Sequence, residues 1–140
     1  MATPHSYLIL AGLFAVPVIA LAADAPAPVS REVLRTDKTA FGQPLAPVPA
    51  GGQVVVVRTT VAPGAPFPEH KHPYPRISYV ISGHIRLIDT ETGASRDYGP
   101  GEAIVEPVDH WHAGEVIGEE SVELVAVDQV PAGVSNVIRK

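Results

Sequence analysis

GAPFPEHKHPYPRISYVISGHIRLIDTETGASRDYGPGEAIVEPVDHWH, residues Gly64–His112, decides how this chain folds. Short runs of β-branched and aliphatic residues alternate in it with Gly- and Pro-rich breaks. Pro63, Pro66, Pro68, Pro73 and Pro75 exclude a helix before residue 76, because proline removes backbone donors and clashes with the preceding turn. Ile77–Asp89 reads as one long strand, or as two bent at Gly83. Thr90–Ala94 is a hairpin turn, with Ser95–Tyr98 pairing back across it. Gly99–Gly101 is a second turn, Glu102–Glu106 a short strand, and Pro107–Asp109 a turn. The stretch holds His70-Lys71-His72 near its start and His110-Trp111-His112 at its end, four of the six histidines of the chain. Residues i and i+2 of a strand project to the same side, so each cluster can aim two rings into one cavity. Neutral imidazole is a common ligand for first-row metals.

The flanks continue the pattern. Gln53–Thr60 (QVVVVRTT) and Ser121–Val130 (SVELVAVDQV) read as strands from their β-branching. Gly42–Gly52 is a loop, and Arg31–Arg35 is a candidate first strand. Many short strands with Gly/Pro turns and no amphipathic helix define an all-β domain over residues 31–140, a small barrel or a two-sheet jelly roll.

The start of the chain has another character. Leu8–Ala22 is almost wholly apolar and too short for a good membrane span, and Ala20-Leu21-Ala22 offers a signal-peptidase site. Residues 1–22 read as a signal peptide and residues 23–30 (ADAPAPVS) as an Ala/Pro-rich tether. The mature protein is expected to be periplasmic or secreted, without stable membrane insertion. The net charge of −5 leaves no basic stripe to neutralise phosphates, which argues against nucleic acid. Cysteine is absent, which removes disulfides and thiolate ligands.

In its paired motifs the chain resembles the cupin superfamily. Gly64, five residues, His70-x-His72 and a later Gly83 match the first family motif. Gly101, five residues, Pro107 and His112 match the second. The resemblance implies a double-stranded β-helix, or jelly-roll barrel, with His70, His72 and His112 binding one divalent transition metal per subunit: iron, manganese, zinc, copper or nickel. The family's usual glutamate ligand falls at Arg76, and its usual second-motif glycine is Asp109. Arginine is always cationic and offers no lone pair, so the expected site is a three-histidine variant. Three neutral imidazoles would leave the ion its full charge and make it a strong Lewis acid. Such a site resembles that of the minority of cupins with three histidines, some non-haem iron dioxygenases among them, and the resemblance implies a non-haem dioxygenase-like enzyme acting on a small chelating acid or enol. The alternatives are a non-redox isomerase, lyase or decarboxylase, or a periplasmic metal- or ligand-binding protein without turnover.

Other side chains carry open alternatives. Arg76 could turn into the pocket to pair with a substrate carboxylate, or belong to an exposed face. Ile77, Tyr79, Ile81, Ile85 and Leu87 share one strand parity; Arg76, Ser78, Ser82, His84 and Arg86 share the other. His110 could be a fourth ligand, a proton-transfer group or a rim residue. Glu106 could orient a ligand ring through its second N–H, or face solvent. Trp111 and Tyr79 are candidates for core or dimer contacts, and Phe67 and Tyr74 for the mouth of the cavity. A homodimer and a small-molecule substrate are the expected partners.

Overall fold

The computed structural model describes residues 30–65 and 67–140. The signal peptide and the tether, apart from Ser30, lie outside the described residues. Arg31–Lys140 forms one compact unit. Its strands are β1 (Gln53–Val61), β2 (Phe67–Lys71), β3 (Arg76–Ser82), β4 (His84–Asp89), β5 (Ser95–Tyr98), β6 (Ala103–Val105), β7 (His112–Ile117), β8 (Val122–Val130) and β9 (Ile138–Arg139). Arg31–Arg35 runs exposed and joins no ladder, so the candidate first strand is not formed. The Pro-rich segment, whose prolines exclude a helix, makes the strand β2, and β7 and β9 form in stretches that carry no strand pattern of their own.

The strands make two antiparallel sheets. One runs β1-β8-β3-β6 and the other β5-β4-β7-β2-β9. The expected jelly-roll barrel is corrected here: neither sheet closes. Closure needs a continuous staggered ladder around the whole circumference. Of the four edge strands only β1 is long; β5, β6 and β9 are four, three and two residues long, and Pro107, just after β6, has no donor to extend its ladder. The sheets instead face each other across side chains. Val80, Ile85, Leu87, Ile104, Val122 and Leu124 form the core with Ala40, and Phe41, Phe67, Tyr98 and Val116 pack around them. Burying each Val, Leu or Ile contributes about 1.5–3 kcal/mol.

Gly83 divides the predicted long strand between the two sheets. Its φ is +71°, and a Cβ there would meet the Ser121 carbonyl oxygen at 2.4 Å. Only glycine suits both demands. The crossing also reverses which parity faces inward. Ser78 and Val80 are buried before Gly83, while Ile85, Leu87 and Asp89 are buried after it. Ile77, Tyr79 and Ile81 therefore face outward, and Arg76 lies on the inner side of β3. A single alternation drawn through all thirteen residues joins two different faces.

The hairpin after β4 forms as read. Asp89 Oδ1 accepts from the backbone N–H of Glu91 (2.9 Å) and Thr92 (3.0 Å), and Gly93 N–H donates to Asp89 O (2.8 Å). Gln43, from the N-terminal loop, braces the turn after β6. Its side chain accepts from Val108 N–H (3.0 Å) and donates to Val108 O (3.2 Å).

Candidate metal centre

The histidines meet because two strands pair in one register. His70 of β2 lies directly across from His112 of β7. His72, just past β2, bridges in parallel to Val108. The rings of His70, His72 and His112 stand 4.5–5.0 Å apart, centroid to centroid. His72 and His112 are fully buried, and His70 almost so. Phe67 stacks on His70 at 5.5 Å. The phenyl ring fits there because Gly114 lies opposite it; a Cβ at residue 114 would come within 2.2 Å of Phe67 Cδ1.

Each ring is turned by a backbone carbonyl. His70 Nδ1–H donates to Pro68 O (2.8 Å), His72 Nδ1–H to Asn136 O (2.6 Å) and His112 Nδ1–H to His110 O (2.9 Å). Such bonds fix the tautomer and present Nε2 as the free lone pair. Two of these carbonyls belong to the residue two positions before the histidine. The third comes from the C-terminal segment, where the Asn136 side chain also accepts from Tyr74 N–H (2.9 Å) and donates to Asp128 Oδ1 (2.8 Å).

The fourth member of the cluster corrects the expected three-histidine site. His70, His72, Glu106 and His112 each offer a donor atom within 4.8 Å of the others, and all four residues are buried. The carboxylate missing at Arg76 arrives on the neighbouring strand. Ile77 pairs with Val105 across β3 and β6, and Glu106 N–H donates to Arg76 O (3.0 Å). Glu106 therefore faces inward beside Arg76, with the same parity as buried Ile104. Its Oε2 lies 2.9 Å from His72 Nε2 and 3.3 Å from His112 Nε2, and its Oε1 accepts from the Ser78 hydroxyl. Neither the ring-orienting nor the solvent-facing reading describes it: the carboxylate is itself a donor of the set.

The donor set fits a divalent cation. With every Nδ1–H committed to a carbonyl, the Nε2 lone pairs of His72 and His112 face a carboxylate oxygen at hydrogen-bond distance. Acceptor against acceptor is repulsive unless a cation lies between them. The Ser78 hydroxyl donates to the other oxygen of Glu106, which favours the ionised carboxylate that a cation needs. Burial lowers the His70 imidazole to about 4, against the opposing pull of its bond to Pro68, so the ring is neutral and free to ligate.

The other candidates fall outside the cluster. Arg76 faces inward but is held by Asp128, Nε–Oδ1 2.7 Å and Nη2–Oδ2 2.6 Å, in a fork-on-fork pair opposite it in register. The exposed-face reading of Arg76 is thereby excluded. The His110 ring lies against two acids, with Nε2 3.0 Å from Asp89 Oδ1 and Nδ1 3.4 Å from Glu91 Oε2. It supplies no donor to the four-atom set; what reaches the site is its carbonyl. Asp109 adopts φ +53° and pairs with Lys71 (2.6 Å), and the Lys71 and Lys140 ammonium groups both lie over the Trp111 ring.

Asp128, Ser78 and Asn136 escaped the sequence reading. Asp128 left a signal: it shares strand parity with Val122, Leu124, Ala126 and Val130, all buried, so it is an acid on an inner face. Asn136 left none, since its position depends on how the C-terminal segment crosses the site.

An all-β two-sheet unit with an internal His/His/Glu/His cluster defines a metal-binding cupin, and the chain belongs to that family: the cupin domain model matches residues 57–128, just over half of it. No curated protein matches the chain. Among solved structures it is similar to the oxalate decarboxylase of Lactobacillus farciminis in its formate complex, with 21% identity and a TM-score of 0.53 over 61% of this chain and 26% of that one. A second oxalate decarboxylase, from a structure on substrate binding mode and a reaction-specificity switch, is 26% identical with a TM-score of 0.53 over 61% and 23%. A recombinant oxalate oxidase in complex with glycolate is 24% identical with a TM-score of 0.51 over 61% and 45%. The matched regions thus span about a quarter of the decarboxylase chains and under half of the oxidase. The dioxygenase expectation does not survive these findings. It rested on a three-histidine site, and Glu106 adds a carboxylate to that set.

Proposed function

We propose that this chain is a metal-dependent cupin enzyme that takes a small chelating carboxylic acid, of the kind oxalate is, and breaks the carbon–carbon bond beside a carboxylate without inserting oxygen. The observation that carries the reading is the convergence of three carbonyl-oriented imidazoles and one carboxylate on a confined cavity. The void beside the cluster measures about 30 Å³, and the mouth pocket beyond it about 240 Å³. Drug-sized ligands use pockets of roughly 300–1,000 Å³, so a guest here has few heavy atoms. The similarity to the 26%-identical decarboxylase points the same way. A divalent ion held by His70, His72, Glu106 and His112 would supply a Lewis-acid centre for a chelating acid. The protein's own groups prepare the place for it. Ser78 holds one oxygen of Glu106, so the carboxylate meets the cluster through the other. Asp128 neutralises Arg76, so the guanidinium adds no net charge next to the donors. Apolar Ile85, Leu87, Ile104 and Leu124 line the void and exclude water.

The test is turnover by protein loaded in turn with manganese, iron and zinc, assayed against oxalate and other small acids for release of carbon dioxide. Metal-dependent release supports the reading. Tight acid binding with no turnover under any metal would reduce the protein to a ligand-binding cupin.

Two further parts of the reading concern where the protein acts and in what state. Export rests on Leu8–Ala22 and the Ala20-Leu21-Ala22 site. A homodimer rests on the outer face of the β1-β8-β3-β6 sheet, where Val54, Val56, Ile77, Tyr79 and Ile81 are exposed beside half-buried Val125 and Val127. The one charge in the middle of that face, Arg58, is paired with Glu123 of its own chain. Copies carrying −5 each repel least where a face is uncharged. The outer face of the other sheet is polar by contrast, with Arg86 between Asp97 and Glu115.

A further inference from the structure

We infer that Arg139 is a specificity-determining side chain at the mouth of the metal centre, placed to hold a second carboxylate of the substrate. The inference rests on the proposed function and narrows its substrate class to acids with a carboxylate beyond the chelating group.

The position is set by β9. This two-residue strand adds to the free edge of β2, and its register puts Arg139 directly across from His70 and Ile138 across from Lys71. Opposed residues of an antiparallel pair project to the same side. Arg139 therefore stands on the side to which His70 turns its ring, and Ile138 on the outer side with Lys71. Lys140 continues the register, its N–H reaching Glu69 O (3.3 Å). The result is visible in the mouth pocket, whose wall combines Arg139 with His70, Arg76, Phe67, Val57 and Val137.

The two guanidinium groups of that wall differ. Arg76 spends both arms of its fork on Asp128. Arg139 has no acidic partner and no side-chain hydrogen bond among the described residues. It is thus the uncompensated cation of a pocket lined also by Thr59, His70 and the Asp128-paired Arg76, with Val57, Phe67, Pro68 and Val137 as its apolar part. A guanidinium matches a carboxylate with two parallel donors. In a chain with an excess of acidic residues, a lone cation at the entrance also draws anions toward it.

Two probes with the same 2-oxo acid head group separate this idea from the reading it rests on. 2-Oxoglutarate carries a distal carboxylate; 2-oxopentanoate has the same chain length without it. Both are titrated into the metal-loaded full chain by calorimetry, for the wild type, Arg139→Gln and Arg139→Lys. The wild type is expected to prefer 2-oxoglutarate by about tenfold or more. Arg139→Gln should erase the preference while leaving 2-oxopentanoate affinity, metal content and Tm unchanged, and Arg139→Lys should restore part of it. A wild type that binds both acids equally overturns the role of Arg139 and leaves the proposed function intact, as does a preference that persists in Arg139→Gln. A metal-loaded wild type that binds neither acid overturns this inference, and the proposed function then stands or falls on the turnover of oxalate alone.

Discussion

Replacing Asp128 by Asn is the sharpest test of the interior. Both partners of the Arg76–Asp128 pair are well buried, with side-chain exposures of 13% and 4%. Asparagine keeps the shape but removes the charge, leaving a buried guanidinium without its counter-ion. Breaking such a pair from one side costs about 3–5 kcal/mol. Asparagine still offers one oxygen to Arg76, so the lower end, about 3 kcal/mol, is expected. For a domain of this size that lowers Tm by about 12 °C. Replacing both partners, Arg76→Met with Asp128→Leu, should come back to within about 1–2 kcal/mol of the wild type, because neither charge is then buried. The residual cost is the acceptor that Asn136 loses, softened by its second bond to Tyr74 O.

The pH dependence of this pair has a definite sign. Burial raises the Asp128 carboxyl, but Arg76 and Asn136 more than offset this and hold it below its ordinary value. A carboxyl depressed in the folded state stabilises the fold above its unfolded pKa, about 3.9, and the contribution is lost as pH falls through the lower folded value. The stability gap between the wild type and the double variant should therefore be flat from pH 7 to about pH 4.5 and shrink only below that. Urea unfolding of the wild type, Asp128→Asn and the double variant, at pH 7 and along an acid series, measures both effects. A single Asp128→Asn variant within about 1 kcal/mol of the wild type, or a gap that changes near neutral pH, would refute the reasoning.

Three other outcomes are expected. Glu106→Gln should weaken metal binding by about 100-fold or more, since even partners that merely orient ligands are worth 10–100-fold; competition against a chelator reads this, and an unchanged affinity would remove Glu106 from the donor set. Gly83→Ala meets both a positive φ and the Ser121 carbonyl, so it should cost about 2 kcal/mol or more by denaturant unfolding, whereas Gly93→Ala, which meets nothing within 4 Å, should cost only the strain of its φ. Val56→Lys on the outer sheet face should convert a dimer to monomer by sedimentation while leaving metal content untouched; a monomeric wild type would dispose of the dimer.

Local sequence determined much of this protein. The β-branched runs and Gly/Pro breaks demanded an all-β chain, because each strand is specified by residues within it and each turn by its own glycine or proline. The spacing of Gly64, His70, His72, Gly101, Pro107 and His112 located three of the four cluster members for the same reason: His-x-His needs only a strand to aim both rings. Tertiary structure decided the rest. Gly83 announced a bend, but not that the chain changes sheet there and reverses its inner face. That depended on β3 pairing with β8 and β4 with β7. The acid sought at residue 76 comes from residue 106, because β3 and β6 lie side by side and a donor set is assembled in space, whatever the order along the chain. The same cause hid Asn136 and Arg139. Each acts from a C-terminal segment whose place is fixed by a register some seventy residues away, and no pattern within that segment records it.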